Sequence, residues 1–197
     1  MASITITRDD ATPFLIEFGK RLERPRELMQ VMGRRLSNDL RDHFAARDRE
    51  PNARGWPKQH FWAGIREATG VTEVTDSSAT VTIADYRMAH KITGGPITPK
   101  KAKALTIPLH PLAYGKRVAV FEEQTGVDLF QPGKKGEKKG VLLGEYQGQI
   151  VAFYALRKRV DQKPDARALP PQEDMDAAML EVVDEWLDDE LAEGVKT

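Results

Sequence analysis

The sequence contains no cysteine. This absence excludes a disulfide framework, a thiolate nucleophile and a zinc site with cysteine ligands, and it is compatible with a reducing compartment. No window holds the run of about 18 apolar residues that a membrane-spanning helix requires. Residues 1–10 also lack the apolar segment of a secretory signal. We therefore expect a soluble protein that is made in the cytoplasm and has no membrane partner.

Residues suited to catalysis are few and dispersed. The four histidines, His43, His60, His90 and His110, never form a His-x-x-x-His metal spacing. No Gly-x-Ser-x-Gly nucleophile elbow occurs, and the carboxylates lie in acidic runs without the apolar setting that raises a catalytic pKa. We therefore predict no enzymatic activity and no cofactor. A metal-dependent hydrolase, with a site assembled only by folding, remains an alternative.

The charge is balanced overall but segregated along the chain. There are 30 basic and 30 acidic residues, so the formal net charge is zero, which argues against a protein that coats nucleic acid. Basic residues dominate from 91 to 139, whereas residues 173–193 contain ten acidic residues and no basic one. Opposed patches of this kind suit head-to-tail self-association. The alternative is that each patch is only a solvated face of its own element.

Apolar periodicity predicts an α+β fold. A first helix containing Phe14 and Phe18 should end near Pro25, and a long amphipathic helix should span residues 26–46. Two hairpins are expected, residues 71–74 with 79–83 and residues 141–143 with 149–154. We expect an antiparallel β-sheet packed against the long helix, with an additional C-terminal helix from about Gln172. The predicted domains are 1–171 and an acidic C-terminal helix at 172–197.

Residues 89–111, AHKITGGPITPKKAKALTIPLHP, concentrate the residues that restrict a backbone. Gly94 and Gly95 permit positive φ, while four prolines fix their own φ and favour extended geometry before them. Four lysines lie in the same stretch. We predict a shaped loop, not a helix, that presents a cationic docking surface. A long solvated loop whose lysines only maintain solubility is the alternative.

The same stretch, from Ala89 through Gly94-Gly95-Pro96 to Leu105-Thr106-Ile107-Pro108, resembles the signature of the virion morphogenesis (tail completion) proteins of Mu-like phages. A later hairpin ending in Tyr154-x-Leu156 is similar to the continuation of that family. The chain departs from the family pattern where Lys91-Ile92-Thr93 replaces a shorter spacer before the glycines. The resemblance spans most of the chain, from the long helix to Pro170.

The resemblance implies a structural virion protein without catalytic residues. Such a protein acts in tail completion, closing the head-proximal end of the tail tube or enabling head-tail joining. It implies a self-assembled ring, a hexamer by analogy with tail symmetry, in contact with the tail tube protein or with neck and connector proteins. The protein would be located in the tail or neck of the virion, and in the host cytoplasm during assembly. We assign the interface to the following residues: His90, Gly94, Gly95, Lys100, Lys101, Lys103, Lys134, Lys135, Lys138, Lys139 and Trp186.

An alternative from another class is a nucleic-acid-binding module. Trp56, Phe61 and Trp62 lie among basic residues, and aromatic side chains in such a setting stack on unpaired bases. The basic triplet Arg157, Lys158 and Arg159 would contact phosphates. The same aromatic side chains also suit a plug at the end of a core, and the triplet also suits an edge that resists strand pairing.

Overall fold

The structure, a computed structural model, describes residues 11–23, 25–133 and 140–195. The α+β class, the antiparallel pairing of the strands and the additional C-terminal helix are confirmed. Within the described residues the helices are α1 (Ala11–Glu23), α2 (Arg26–Arg49), α3 (Phe61–Glu67), α4 (Tyr86–Thr93), α5 (Val118–Thr125) and α6 (Gln172–Val195). The strands are β1 (Thr69–Val74), β2 (Ala79–Ile83), β3 (Gly95–Ile97), β4 (Leu105–Pro108), β5 (Val141–Tyr146), β6 (Gln149–Arg157) and β7 (Val160–Gln162).

The chain forms two compact units. The first unit comprises Met1–Arg47, Trp62–Asp85 and Leu169–Thr197, and the second unit comprises Asp48–Phe61 and Tyr86–Ala168. The C-terminal helix therefore belongs to the same unit as most of α2. The predicted boundary between residues 171 and 172 stays a prediction.

In the first unit, α1 and α2 are separated at Pro25, as the sequence predicts, because proline supplies no backbone N–H and clashes with the preceding turn. The long helix continues to Arg49, a little beyond its predicted end. Phe44 and Ile65 are fully buried in this unit. Phe14 and Phe18 stack on α1 with ring centroids 5.9 Å apart, whereas Leu15 on the same helix is exposed.

Helix α2 lies close against the β1–β2 hairpin at Gly33. A Cβ atom placed on Gly33 would lie 2.9 Å from the Cβ of Ala79 and 3.5 Å from Cγ1 of Val71. The missing side chain is therefore what allows the helix to lie against the hairpin. The hairpin itself pairs Val74 with Ala79 next to the turn.

Helix α6 contributes one buried side to the first unit. Val182 is buried and Trp186 is half-buried on that side. The Arg35 guanidinium of α2 donates to the Asp39 carboxylate at 3.0 Å and to the Glu181 carboxylate of α6 at 3.2 Å. The polar face of α2 thus forms an ion-pair contact with the C-terminal helix.

The second unit contains the larger sheet, with strand order β4-β6-β5. Its core consists of Ala113, Phe121, Val127, Phe153 and Tyr154. Phe153 and Tyr154 are adjacent on the central strand β6, so their side chains point to opposite faces and both faces of the sheet are covered at this point. The Tyr154 hydroxyl donates to the backbone carbonyls of Ala113 (3.4 Å) and Lys116 (3.2 Å).

The strands form separate sheets instead of one. Among the described residues, β1–β2, β3–β7 and β4-β6-β5 are three distinct antiparallel sheets. The two predicted hairpins lie in different units. Strand β6 ends at Arg157, and β7 begins at Val160 in another sheet. None of the helices among the described residues is long and apolar enough to span a membrane.

Candidate functional site

The start of the predicted loop is helical. Residues 89–93 belong to α4, and the prediction that the whole stretch forms a loop is wrong at this point. The backbone N–H of Gly94 donates to the His90 carbonyl at 3.0 Å, so the helical hydrogen-bond pattern continues to the first glycine. The first proline that fixes extended geometry is Pro96, which comes after the end of the helix. On the inner side of the helix, the Met88 side chain is buried.

Gly94 ends the helix and lies directly against the end of β7 and the segment that follows it. Its φ is +66°, a conformation that glycine adopts without strain. A Cβ atom at this position would lie 2.6 Å from the Gln162 carbonyl oxygen and 2.8 Å from the Pro164 nitrogen. We call this close approach the Gly94 clamp. The backbone N–H of Asp165, which donates to the Lys91 carbonyl at 2.8 Å, holds the same segment.

His90 has a structural role at the clamp. Its Nδ1 lies 3.2 Å from the Gly94 carbonyl oxygen, and because a carbonyl only accepts, Nδ1 donates in this hydrogen bond. The His90 carbonyl accepts from Nε2 of Gln162 at 3.2 Å. Gly95 begins β3, where it pairs with Gln162. Three of the predicted interface residues therefore build the clamp that supports the lysine loop.

The lysine loop, residues 98–104, carries Lys100, Lys101 and Lys103, and all three side chains are exposed. The loop joins β3 to β4. On the neighbouring chain segment, residues 158 and 159 join β6 to β7. Because β3 pairs with β7 up to Ile97–Val160, and β4 pairs with β6 from Leu105–Arg157, the two connections run between the same two ladders.

This topology brings two basic segments together that the sequence places more than fifty residues apart. We define the cationic surface as Lys100, Lys101, Lys103, Arg157 and Lys158, all of them exposed. None of these side chains forms an ion pair with another residue in the described part of the chain. Arg159 differs from them, because the hydrogen bonds and charge of Asp161 raise the pKa of Arg159 and compensate its charge, at an N–O distance of 2.6 Å.

From sequence alone, these segments were predicted to have different functions, the loop lysines in an assembly interface and the triplet in nucleic-acid contact. The pairing of β4 with β6 is what joins them. The hairpin pattern predicts β5 as one partner of β6, but no local pattern indicates that β4 pairs with the other edge of β6.

The remaining predicted interface residues lie elsewhere. Lys134, Lys135, Lys138 and Lys139 fall outside the described residues. Trp186 is half-buried on α6 in the first unit, on the side of the helix that also carries buried Val182. Packing within its own unit therefore buries much of the surface of the Trp186 side chain.

The aromatic residues of the nucleic-acid alternative have partners inside their own units. In the second unit, Trp56 packs edge-on against Tyr114 with ring centroids 5.3 Å apart. Two cations of α4 lie close to the Phe61 ring, with Cζ of Arg87 5.1 Å and Nζ of Lys91 5.3 Å from its centroid. These contacts place both rings in packing or cation–π roles and leave them only half-buried.

Trp62 belongs to the first unit, where it stacks on the buried ring of Phe44 at a centroid distance of 5.9 Å. The Arg47 guanidinium lies 4.8 Å from the centroid of the Trp62 ring. This arrangement matches the core plug that the sequence offered as the alternative to base stacking.

In the described part of the chain, no group of three or more His, Asp or Glu side chains is arranged to hold a metal ion. An open groove in the first unit is lined by Arg35, Asp39, His43, Pro170, Asp174 and Met175. The Asp39 carboxylate in this groove is already paired with Arg35.

No family model matches the chain, and no curated protein or solved structure is significantly similar to it.

Proposed function

We propose that this chain is a structural protein of a phage virion that acts in tail completion through ring-forming self-association. It closes the head-proximal end of the tail tube or enables head-tail joining, without catalysis and without a cofactor. The observation that carries the proposal is the Gly94 clamp, which supports the stretch that bears the family resemblance and holds it in one shape.

The clamp matters because an assembly contact requires a preorganised surface. The lysine loop is anchored at both ends, by pairing of β3 with β7 and of β4 with β6. A loop held in this way loses less conformational entropy on binding than a free linker does. The charges of Lys100, Lys101 and Lys103 are therefore presented from a fixed frame.

The distribution of charge supports self-association. The second unit exposes a cationic surface, whereas α6 of the first unit exposes acidic side chains along most of its length. A contact between unlike surfaces of identical copies is heterologous, and such contacts close into rings when the rotation between copies permits. The hexameric state rests on analogy with tail symmetry, and the partners are the tail tube protein or the neck and connector proteins.

Native mass spectrometry of the purified protein, alone and with its cognate tail tube protein, tests this proposal. We expect a ring-sized species at low salt that dissociates as the salt concentration rises, since exposed charges are screened. Binding to the tube protein is the second readout. A protein that stays monomeric alone and also fails to bind the tube protein would overturn the proposed function.

A nucleic-acid-binding module is the second candidate, and the cationic surface is the observation that favours it. A protein that neutralises phosphates loses affinity steeply as salt increases. Titration of single- and double-stranded DNA over a series of salt concentrations measures this dependence. Binding that is lost in Arg157→Glu, and in Phe61→Ala for single strands only, would favour this candidate over self-association.

A further inference from the structure

The outer face of α6 carries exposed apolar side chains among the acidic ones. Leu180 is 65% exposed and Leu191 is 47% exposed. They are eleven residues apart, which is close to three helical turns, so both lie on the same side of the helix. Val182 and Trp186 lie on the other side, towards the core of the first unit. Leu180 and Leu191 are therefore exposed on one side of the helix, where a partner in an assembly could cover both of them.

Carboxylates flank these leucines on the same face. Asp176, Asp184 and Asp188 are exposed. Together with Leu180 they recur every four residues, so their side chains are neighbours along one side of the helix. We define the outer ridge of α6 as Asp176, Leu180, Asp184, Asp188 and Leu191. A partner for this ridge must offer cationic groups together with apolar surface.

We infer that the outer ridge of α6 docks on the cationic surface of a second copy of this chain, and that Arg157 and Lys158 belong to that contact together with the loop lysines. This inference rests on the proposed self-association and names the two surfaces that meet. Lysine and arginine side chains suit the ridge, because their aliphatic stems cover leucine while their charged ends pair with carboxylates.

Charge complementarity selects a second copy as the occupant. The chain as a whole is neutral, and the cationic surface is matched by an acidic face on the same molecule. A purely cationic ligand would satisfy the carboxylates but leave the cationic surface unpaired. A polyanion such as DNA would do the reverse and leave Leu180 and Leu191 exposed.

A charge-swap experiment tests the contact. Variant A carries Lys103→Glu, Arg157→Glu and Lys158→Glu, so its docking surface and its outer ridge are both acidic. Variant B carries Asp176→Lys, Asp184→Lys and Asp188→Lys, so both of its surfaces are basic. A control variant reverses three exposed arginines on other elements, Arg26→Glu, Arg66→Glu and Arg117→Glu. The oligomeric state of each is measured by light scattering and native mass spectrometry.

We expect A alone and B alone to associate at least about tenfold more weakly than the unmodified chain, because like charges then face each other. An equimolar mixture of A and B should restore assembly, since every contact in an alternating ring again joins unlike charges. Circular dichroism of each variant establishes that its fold is intact. The control variant should assemble as the unmodified chain does.

Two outcomes overturn the inference. One is assembly of A and of B alone with the strength of the unmodified chain. The other is loss of assembly in both that mixing fails to restore. If the unmodified chain forms a ring in either case, the proposed self-association stands and only the assignment of the surfaces is wrong. Loss of DNA binding in A, with self-association unchanged, would reassign the cationic surface to phosphate contact.

Discussion

A side chain on Gly94 would collide with the backbone of Gln162, because a Cβ atom there would lie 2.6 Å from the Gln162 carbonyl oxygen. Both the positive φ of Gly94 and this contact oppose any substitution. We therefore predict that Gly94→Ala lowers the free energy of unfolding by about 2–5 kcal/mol, from backbone strain plus overpacking. Urea-induced unfolding followed by circular dichroism measures the loss.

Gly126 provides the matched control for this prediction. Its φ is +67°, nearly that of Gly94, but no atom lies within 4 Å of a Cβ placed there. Gly126→Ala should therefore cost only the backbone strain, about 1–2 kcal/mol. Equal losses in the two variants would show that the contact with Gln162 adds nothing.

A second prediction concerns the contact between α2 and the β1–β2 hairpin. In Gly33→Ala the new methyl group would lie 2.9 Å from the Cβ of Ala79, so the helix or the hairpin must shift. We expect a loss of about 1–3 kcal/mol in the free energy of unfolding, despite the better helix propensity of alanine. Thermal and urea unfolding provide the measurement.

Two further variants separate packing from propensity at Gly33. Gly19 lies in α1 and has nothing within 4 Å of a Cβ atom placed on it, so Gly19→Ala should stabilise by about 0.5–1 kcal/mol. Adding Ala79→Gly to Gly33→Ala should recover part of the lost free energy of unfolding, because it removes the Ala79 Cβ with which the new methyl group collides. A double variant less stable than the sum of its single changes would contradict the assigned contact.

The third prediction is a dependence of stability on alkaline pH. Burial, with the nearby charge of Glu122, raises the pKa of Tyr154 above its ordinary value of 10.0. The native state then holds the phenolic proton more tightly than the unfolded state does. This contribution to stability is complete below about pH 10 and is lost as the pH rises through the native pKa.

Tyr154→Phe should therefore lose less stability than the unmodified chain above about pH 10. Below that pH it should be less stable by about 1 kcal/mol, because the hydrogen bonds to Ala113 and Lys116 are absent. Tyr86→Phe is the control, since the Tyr86 side chain is 84% exposed and its curve should superpose on that of the unmodified chain. Parallel pH profiles for Tyr154→Phe and the unmodified chain would refute the assignment.

The fourth prediction concerns the lysine loop. Replacing Lys100, Lys101 and Lys103 together by glutamate should weaken self-association while leaving the free energy of unfolding within about 0.5 kcal/mol of the original, because all three side chains are exposed. The difference from the unmodified chain should shrink at high salt. Sedimentation velocity at two salt concentrations measures both effects, and unchanged association would remove the loop from the assembly contact.

Local patterns predicted most of the elements. The break at Pro25, the long helix from Arg26 and the start of α6 at Gln172 follow from proline chemistry and from apolar spacing, which act over a few residues.

Contacts between segments that lie far apart in the sequence could not be predicted from such local patterns. The sequence indicates that Gly94 permits a positive φ. It does not indicate that a side chain there would collide with the backbone of Gln162, because only the fold brings the two residues together. Arg157 and Lys158 likewise join the loop lysines only because β6 pairs with β4. The family resemblance and the phage function that it implies stay predictions.

The first unit takes its chain segments from both sides of the second unit in the sequence. Since translation proceeds from the N-terminus, every segment of the second unit leaves the ribosome before α6 does. The core of the first unit therefore lacks Val182 until that point. On the proposed contact, a chain still being synthesised would carry the cationic surface before the acidic ridge of α6, so it would be able to accept the ridge of a neighbour before it could dock its own.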